Sequence, residues 1–474
     1  MLTLCRVDSR WQSQQWCELR PVLLECQQYG GQLEQQHCRP PTGKCNSILR
    51  ASLSPCWNIP STIGLVVRRS KRKNNVHESP SIPADMKRDK QLTLADVANP
   101  KHIEKSILLA CKGKNKRPNT QKLKDTAKER AAHLSESLLN QTYQIGRYNE
   151  FDICERGKQR HIQHVYLIDP QNPDTPTSDG GVIRALVEAI EPSVLNKLTD
   201  NTHAAIKGHG IHLALSQLRK YLKDDPEGTR YCYKIDIRKY FPNIDRQVLK
   251  EKMRRIWTDP KLLWLIDYTI DSAPGDIGLP IGNHTSQLYA NLYLSDFDHW
   301  VQNTLRARYF IRYMDDVVIL AGTKDELRAI HREIEWYLRR NLNLEIKSNW
   351  QIFPISARGI DFVGYRTWHN RVLLRKSTYK RMIIACRKIR MNILTTATFS
   401  DTDRSILASY TGIILHCTPK VRQGLYARHI RPILNLLPHS AKPQVPEGLE
   451  SCNEHLHKYQ STSNSRPQSA VERT

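Results

Sequence analysis

The chain has 474 residues, with 72 Lys plus Arg against 47 Asp plus Glu, a formal net charge of +25. That length accommodates about two to four domains, and a hydrophobic fraction of 39% argues against a wholly disordered chain. No apolar run approaches the roughly 18 residues of a membrane span, and residues 1–12 lack the apolar stretch of a secretory signal.

What remains is a strongly cationic protein, expected to be cytoplasmic and to have no membrane partner, whose charge suits nucleic acid because phosphate neutralisation releases counterions; the plainer alternative is a basic protein without such a partner. Of the 12 cysteines, six (Cys5, Cys17, Cys26, Cys38, Cys45 and Cys56) lie near the N-terminus. None forms a CxxC pair, which argues against a zinc ribbon, and the others are expected to be small buried hydrophobes.

In chain order, residues 1–85 are rich in Gln and Cys, contain Trp11, Trp16 and Trp57, and show no sustained period. The cluster Arg68, Arg69, Lys71, Arg72 and Lys73 reads as a nucleic-acid arm or localisation signal, or as a solvated charge run. The whole segment is expected to be a disordered leader, or an upstream extension if the true start is Met86. Asn99-Pro100 marks a helix start, followed by the apolar face Ile103, Ile107 and Leu108. A basic loop with Lys112, Lys114, Lys116 and Arg117 follows, then a helix signalled by Leu134, Leu138, Leu139 and Tyr143.

Residues 151–168 predict two strands broken by Arg156-Gly157-Lys158. A Pro-rich linker, 169–181, precedes helices at 182–190 and 211–222, the second after Lys207-Gly208-His209-Gly210. Residues 378–394 predict a basic helix with Met382, Ile383, Cys386 and Ile389 inward and Lys380, Arg381, Arg387, Lys388 and Arg390 outward. The polar tail 438–474 is expected to be disordered.

The chemistry concentrates in between. YCYKIDI at 231–237 alternates, with Tyr231, Tyr233, Ile235 and Ile237 on one face and Asp236 on the other. In RYFIRYMDDVVIL, 308–320, two apolar runs flank Met314-Asp315-Asp316 and predict a hairpin with acidic residues at its turn. Adjacent aspartates repel unless a cation neutralises them. One Asp on a strand and two at a hairpin tip can converge on a pair of divalent ions, a set suited to Mg²⁺ with substrate phosphates. Such a pair can activate an attacking 3′-hydroxyl and stabilise a departing pyrophosphate.

Tyr313-Met314-Asp315-Asp316 resembles the YxDD motif of reverse transcriptases. The resemblance extends over DIRKYF (236–241), LPIGNHTSQLYANLYL (279–294), GIDFVGY (359–365) and Ser409-Tyr410-Thr411-Gly412 with His416, in the family's order, and covers roughly 96–437. It implies an α+β right-hand polymerase: fingers over 86–230, a palm with an antiparallel sheet over 231–370 and a helical thumb over 371–437.

It also implies roles. Asp236, Asp315 and Asp316, with the Ile237 carbonyl, would hold two Mg²⁺ ions. Phe241 would lie under the incoming sugar and exclude a 2′-hydroxyl, and Lys158 and Arg160 would clamp the triphosphate. Lys347 would protonate the departing pyrophosphate. Residues 207–210 would touch template backbone, with His209 positional, and the 378–394 helix would follow the duplex.

Ile281-Gly282-Asn283-His284-Thr285-Ser286-Gln287 is similar to the form found in diversity-generating retroelements, where intron and retron enzymes have Gln-Gly…Ser-Pro. There Gly282 would let backbone approach a base pair, Ser286 would cap the next helix, and Gln287 would set a flexible amide beside the nascent pair, or else be an ordinary first-turn residue. The implied activity is error-prone, RNA-templated extension of a DNA or RNA primer with dNTPs, with a small basic accessory protein as partner and a bacterial or phage source. The competing readings are a retron-like or defence-associated reverse transcriptase, and a catalytically idle RNA-binding protein on the same scaffold.

Overall fold

A computed structural model of the chain describes residues 92–115, 119–155 and 157–438. The expectations for residues 1–85, for Lys116, Arg117 and Arg156, for the Lys158 side chain and for the tail after 438 lie outside the described residues.

Four helices come first: α1 (Leu94–Val97), α2 (Pro100–Cys111), α3 (Thr120–Asp125) and α4 (Ala127–Leu139). The second starts where Asn99 Oδ1 accepts the Lys101 N–H at 3.0 Å, with Pro100 in its first turn. Ile103 and Ile107 are fully buried, but Leu108 is 42% exposed and Leu139 41% exposed, each about 100° around its helix from the preceding buried residue. Tyr143 follows α4 rather than belonging to it, and is buried with its hydroxyl donating to Asp179 at 2.7 Å.

A long antiparallel hairpin, β1 (Tyr148–Glu155) and β2 (Lys158–Val165), matches the predicted strand pair. Cys154 on it is exposed, unlike the other described cysteines, which are buried and free.

The Pro-rich segment after β2 is anchored. Buried Arg130 donates to the carbonyls of Pro173, at 2.7 Å, and Thr177, at 2.9 Å, and also to that of Thr175. Helix α5 (Asp179–Leu195) begins three residues before the expected start. The reason lies outside the local pattern: Asp179 accepts from the Gly146 N–H at 3.0 Å as well as from Tyr143.

Helix α6 (Ile211–Asp224) leads into a four-stranded antiparallel sheet, ordered β4 (Tyr309–Tyr313), β5 (Asp316–Ala321), β3 (Tyr231–Asp236), β6 (Gln351–Pro354). Tyr233, Ile235 and Ile237 enter the largest core. That core is built with α7 (Arg246–Ile256), α8 (Pro260–Asp271), α9 (His284–Tyr293), α10 (Ser295–Asn303) and α11 (Lys324–Leu342). The opposite face is also covered: Cys232, Ile311, Val318 and Leu320 pack on Ala214, Leu218 and Leu222 of α6. A sheet buried on both faces explains why its strands read as near-continuous apolar runs.

After α12 (Ile355–Arg358), a small sheet of β7 (Ile360–Phe362), β8 (Tyr365–Thr367) and β9 (Val372–Leu374) precedes α13 (Lys376–Thr396), α14 (Asp401–Leu415), α15 (Pro419–Leu425) and α16 (Arg431–Leu434). These share a separate core, to which α13 contributes Met382, Ala385, Cys386 and Ile389, with Lys380, Arg387, Lys388 and Arg390 exposed. Among the described residues no helix is long and apolar enough to cross a membrane.

Candidate active site

The carboxylates meet because of register. Asp236, the last residue of β3, pairs directly with Asp316, the first of β5. Strands β4 and β5 join through Met314 and Asp315, with Met314 in the left-handed region at φ 57°. This tight turn lets the Ile237 N–H donate to the Asp315 carbonyl at 3.2 Å, which stitches the turn to the end of β3. Lys347 closes the site from a third side. Its N–H donates to the Asp236 carbonyl at 2.9 Å and its Nζ lies 3.1 Å from both Asp236 carboxylate oxygens. Asp236, Ile237, Asp315, Asp316 and Lys347, distant in sequence, thus form one cluster.

Burial and the neighbouring Asp236 carboxylate push Asp315 up to about 6, with Asp316 adding to the repulsion and Lys347 opposing it. Burial also raises Asp316, although the Lys234 ammonium pulls the other way. Lys234 Nζ sits 3.2 Å from Asp316 Oδ2, while Asp316 Oδ1 is buried without a hydrogen-bond partner. Among the described residues no three ligating side chains close into a metal cluster. Lys347 holds Asp236 and Lys234 holds Asp316 instead.

The residues nevertheless fit divalent cations. Three like charges share one half-buried site, one of them carries an orphaned oxygen, and all are hard oxygen donors. Asp236, Asp315 and Asp316 are the side chains that would hold the ions.

Below the turn lies a feature not anticipated from the sequence. Arg312 and Asp298 are both fully buried. Arg312 Nε is 2.7 Å from Asp298 Oδ1 and Nη2 is 2.6 Å from Oδ2, a bidentate pair. The same guanidinium donates from Nη1 to the Met314 carbonyl at 3.0 Å and to Asn291 Oδ1 at 3.2 Å. The Thr202 hydroxyl donates to Asp298 Oδ2 at 2.8 Å. An Arg inside an otherwise apolar strand was the available signal, since a buried guanidinium needs an ionic partner.

Other predicted residues make contacts of their own. Arg160 pairs with Glu155, at 3.2 Å, across its own hairpin, and Lys158 opens β2. Phe241 starts the short 3₁₀ turn Phe241–Asn243, half-buried, with its ring edge-on to Tyr240 at 5.6 Å.

Gly282, at φ 139°, makes its close approach to protein: an added Cβ would lie 2.9 Å from the Gln163 carbonyl in β2. Beside it the Gln163 N–H donates to the Ile281 carbonyl at 2.9 Å. Ser286 is not the cap. Helix α9 starts at His284 with Asn283 as its N-cap residue, and Ser286 lies in the first turn with its Oγ buried and unpartnered. Asn283 Oδ1 accepts the Val165 N–H at 2.9 Å, which ties this loop to β2. Gln287 is half-buried on α9. His209 Nδ1 contacts the Thr202 carbonyl at 2.9 Å.

Comparison with known proteins bears on this cluster. Residues 176–367 match the family described as reverse transcriptase (RNA-dependent DNA polymerase). Protein YkfC of Escherichia coli (strain K12) is 25% identical over 231 residues, which cover 40% of this chain and 61% of that protein. The putative COX1/OXI3 intron 2 protein of Saccharomyces cerevisiae (strain ATCC 204508 / S288c) is 30% identical over 74 residues, 14% of this chain and 9% of that protein. The chain therefore spans less than two thirds of either relative.

Among solved structures, apo telomerase from Candida tropicalis has a TM-score of 0.40 at 10% identity, covering 62% of this chain and 58% of that one. Telomerase from Candida albicans in complex with the TWJ fragment of telomeric RNA has a TM-score of 0.38 at 10% identity, covering 63% and 58%. The matched region contains Asp236, Phe241, Gly282, Gln287, Asp315, Asp316 and Lys347, and leaves out Lys158 and Arg160. Residues 176–367 of this chain, carboxylate cluster included, are thus similar to the reverse transcriptase family.

Proposed function

We propose that the chain is an RNA-directed DNA polymerase that extends a DNA or RNA primer with dNTPs on an RNA template, using two Mg²⁺ ions. The observation that carries this reading is the convergence of Asp236, Asp315 and Asp316 on the ends of adjacent strands inside a reverse transcriptase domain. In this reading residues 86–230 act as fingers, 231–370 as palm and 371–437 as thumb, working in a bacterial or phage-infected cytoplasm.

Bound at the three carboxylates and the Ile237 carbonyl, divalent ions would supply Lewis-acid activation of the 3′-hydroxyl and charge neutralisation at the leaving pyrophosphate. The chain's own groups do the rest. Lys347, whose ammonium already leans on Asp236, is the proton donor for the pyrophosphate. Lys158 and Arg160 on the β1–β2 hairpin meet the triphosphate. The exposed cations of α13 follow the duplex backbone without reading sequence. Primer extension on an RNA template with Mg²⁺ and dNTPs tests the proposal: extension by the native chain and none by Asp236→Ala is expected, and no extension by the native chain beside a working control enzyme overturns it.

Phe241 is the gate against ribonucleotides in this reading. Phe241→Ala is expected to lower discrimination against rNTPs roughly 10–100-fold, with dNTP incorporation retained. Single-nucleotide incorporation with paired dATP and rATP measures it, and unchanged discrimination makes Phe241 a packing residue.

The retroelement type rests on Ile281-Gly282…Ser286-Gln287. A flexible amide at Gln287 in place of Pro supports low fidelity, and a small basic accessory protein would be the partner. Misincorporation in the cDNA is expected to concentrate at template adenines, and sequencing the products checks it. An even error spectrum would favour a second reading, an intron-related or other bacterial reverse transcriptase, which the short match to an intron protein supports.

A further inference from the structure

One cation of the cluster has no part in the reaction as described. Alternation along β3 sets Lys234 on the same face as Asp236. Because Lys234 pairs with Val318 and Asp236 with Asp316, Lys234 stands diagonal to Asp316, and its Nζ reaches Asp316 Oδ2 at 3.2 Å. The same ammonium donates to the carbonyl of Asp361 in β7. The Asp361 carboxylate in turn accepts from Arg375 Nε at 2.5 Å, and Arg375 is the residue immediately before α13. The other Asp316 oxygen is buried and makes no hydrogen bond. Asp316 thus has a resident monovalent cation on one oxygen, and that cation is fastened to the small sheet and the root of α13.

A fixed ammonium and a divalent ion compete for the same carboxylate, because each is favoured by the negative charge that the other neutralises. Resting on the reading of Asp236, Asp315 and Asp316 as the metal-binding set, we propose that Lys234 is a positioning residue. It serves as a built-in counter-ion that weakens divalent capture by Asp316 in the free protein and couples the placement of this carboxylate to β7 and α13. Neutralising Lys234 removes the competitor, and retaining a cation there preserves it.

The test is Mn²⁺ binding to the full chain without substrate, followed by electron paramagnetic resonance at pH 7.5, with thermal unfolding in EDTA as a folding check. Lys234→Met is expected to tighten Mn²⁺ binding roughly five- to tenfold, while Lys234→Arg stays near the native value. Lys234→Gln, which keeps a hydrogen-bond donor to the Asp361 carbonyl, is the neutral variant to use if the methionine variant does not fold, and the same tightening is expected of it. Asp315→Asn identifies the site by weakening binding. Unchanged or weaker Mn²⁺ binding in the neutral variants, at a site that Asp315→Asn weakens, overturns the role of Lys234 alone. Mn²⁺ binding that Asp315→Asn leaves intact overturns the metal-site reading, and the role of Lys234 with it.

Discussion

Arg312→Met is expected to destabilise the protein by about 3–5 kcal/mol and to abolish primer extension. The size follows from what the substitution leaves behind. Asp298 is fully buried, and its partners besides Arg312 include one hydroxyl, that of Thr202. Without the guanidinium it becomes an unpaired buried charge. The functional loss has a second origin, because Arg312 Nη1 also holds the Met314 carbonyl, the residue in left-handed conformation that swings Asp315 into the site.

The double variant Arg312→Met with Asp298→Leu separates the two effects. Replacing both charges by apolar groups is often neutral or stabilising, so stability should largely return. Extension should not, because nothing then braces the Met314 carbonyl. Urea denaturation and primer extension on the same preparations measure both. Recovery of activity together with stability would reduce Arg312 to a core ion pair.

The contrast between Arg312 and the aspartates shows what a sequence can reveal. Asp236 and the Asp315–Asp316 turn were legible because each interrupts a strongly apolar strand pattern, and strand ends are written locally. The hairpins and the starts of α2 and α6 were legible for the same reason. The Arg312–Asp298 pair was not, since its halves lie on a strand and on α10, and nothing in the spacing announces that they face each other.

Long-range contacts also account for what the local pattern left out. At Gly282 the protein neighbour is the backbone of β2. The Pro-rich segment looked like a free linker because the buried Arg130 that anchors it lies on another helix. Ser286 resembled a cap, but Asn283 occupies that position and spends its side chain on β2, which only the fold reveals.

A second large effect concerns Asp315, where stability and activity should move in opposite directions. Burial and the neighbouring carboxylates raise its folded-state value to about 6, from the ordinary 3.8. A carboxyl raised in this way contributes most to stability below its unfolded value, and that contribution is lost as pH rises through about 6. At pH 8 and without divalent ions, the ionised group therefore opposes folding. Asp315→Asn keeps the shape and deletes the charge, so in EDTA at pH 8 the variant should be more stable than the native chain by about 2 kcal/mol, allowing for partial exposure. The gain should shrink as pH is lowered from 7 to 5, where the native carboxyl takes up a proton.

Added Mg²⁺ should stabilise the native protein and leave the variant little changed, because binding to the folded state raises stability by mass action. Primer extension by the variant should be undetectable at every pH. Chemical denaturation across pH with and without Mg²⁺, beside the extension assay, makes the comparison. Equal stability of the two proteins at pH 8 in EDTA would mean that Asp315 sits in water rather than against Asp236, and would remove the electrostatic reason for expecting metal at this turn.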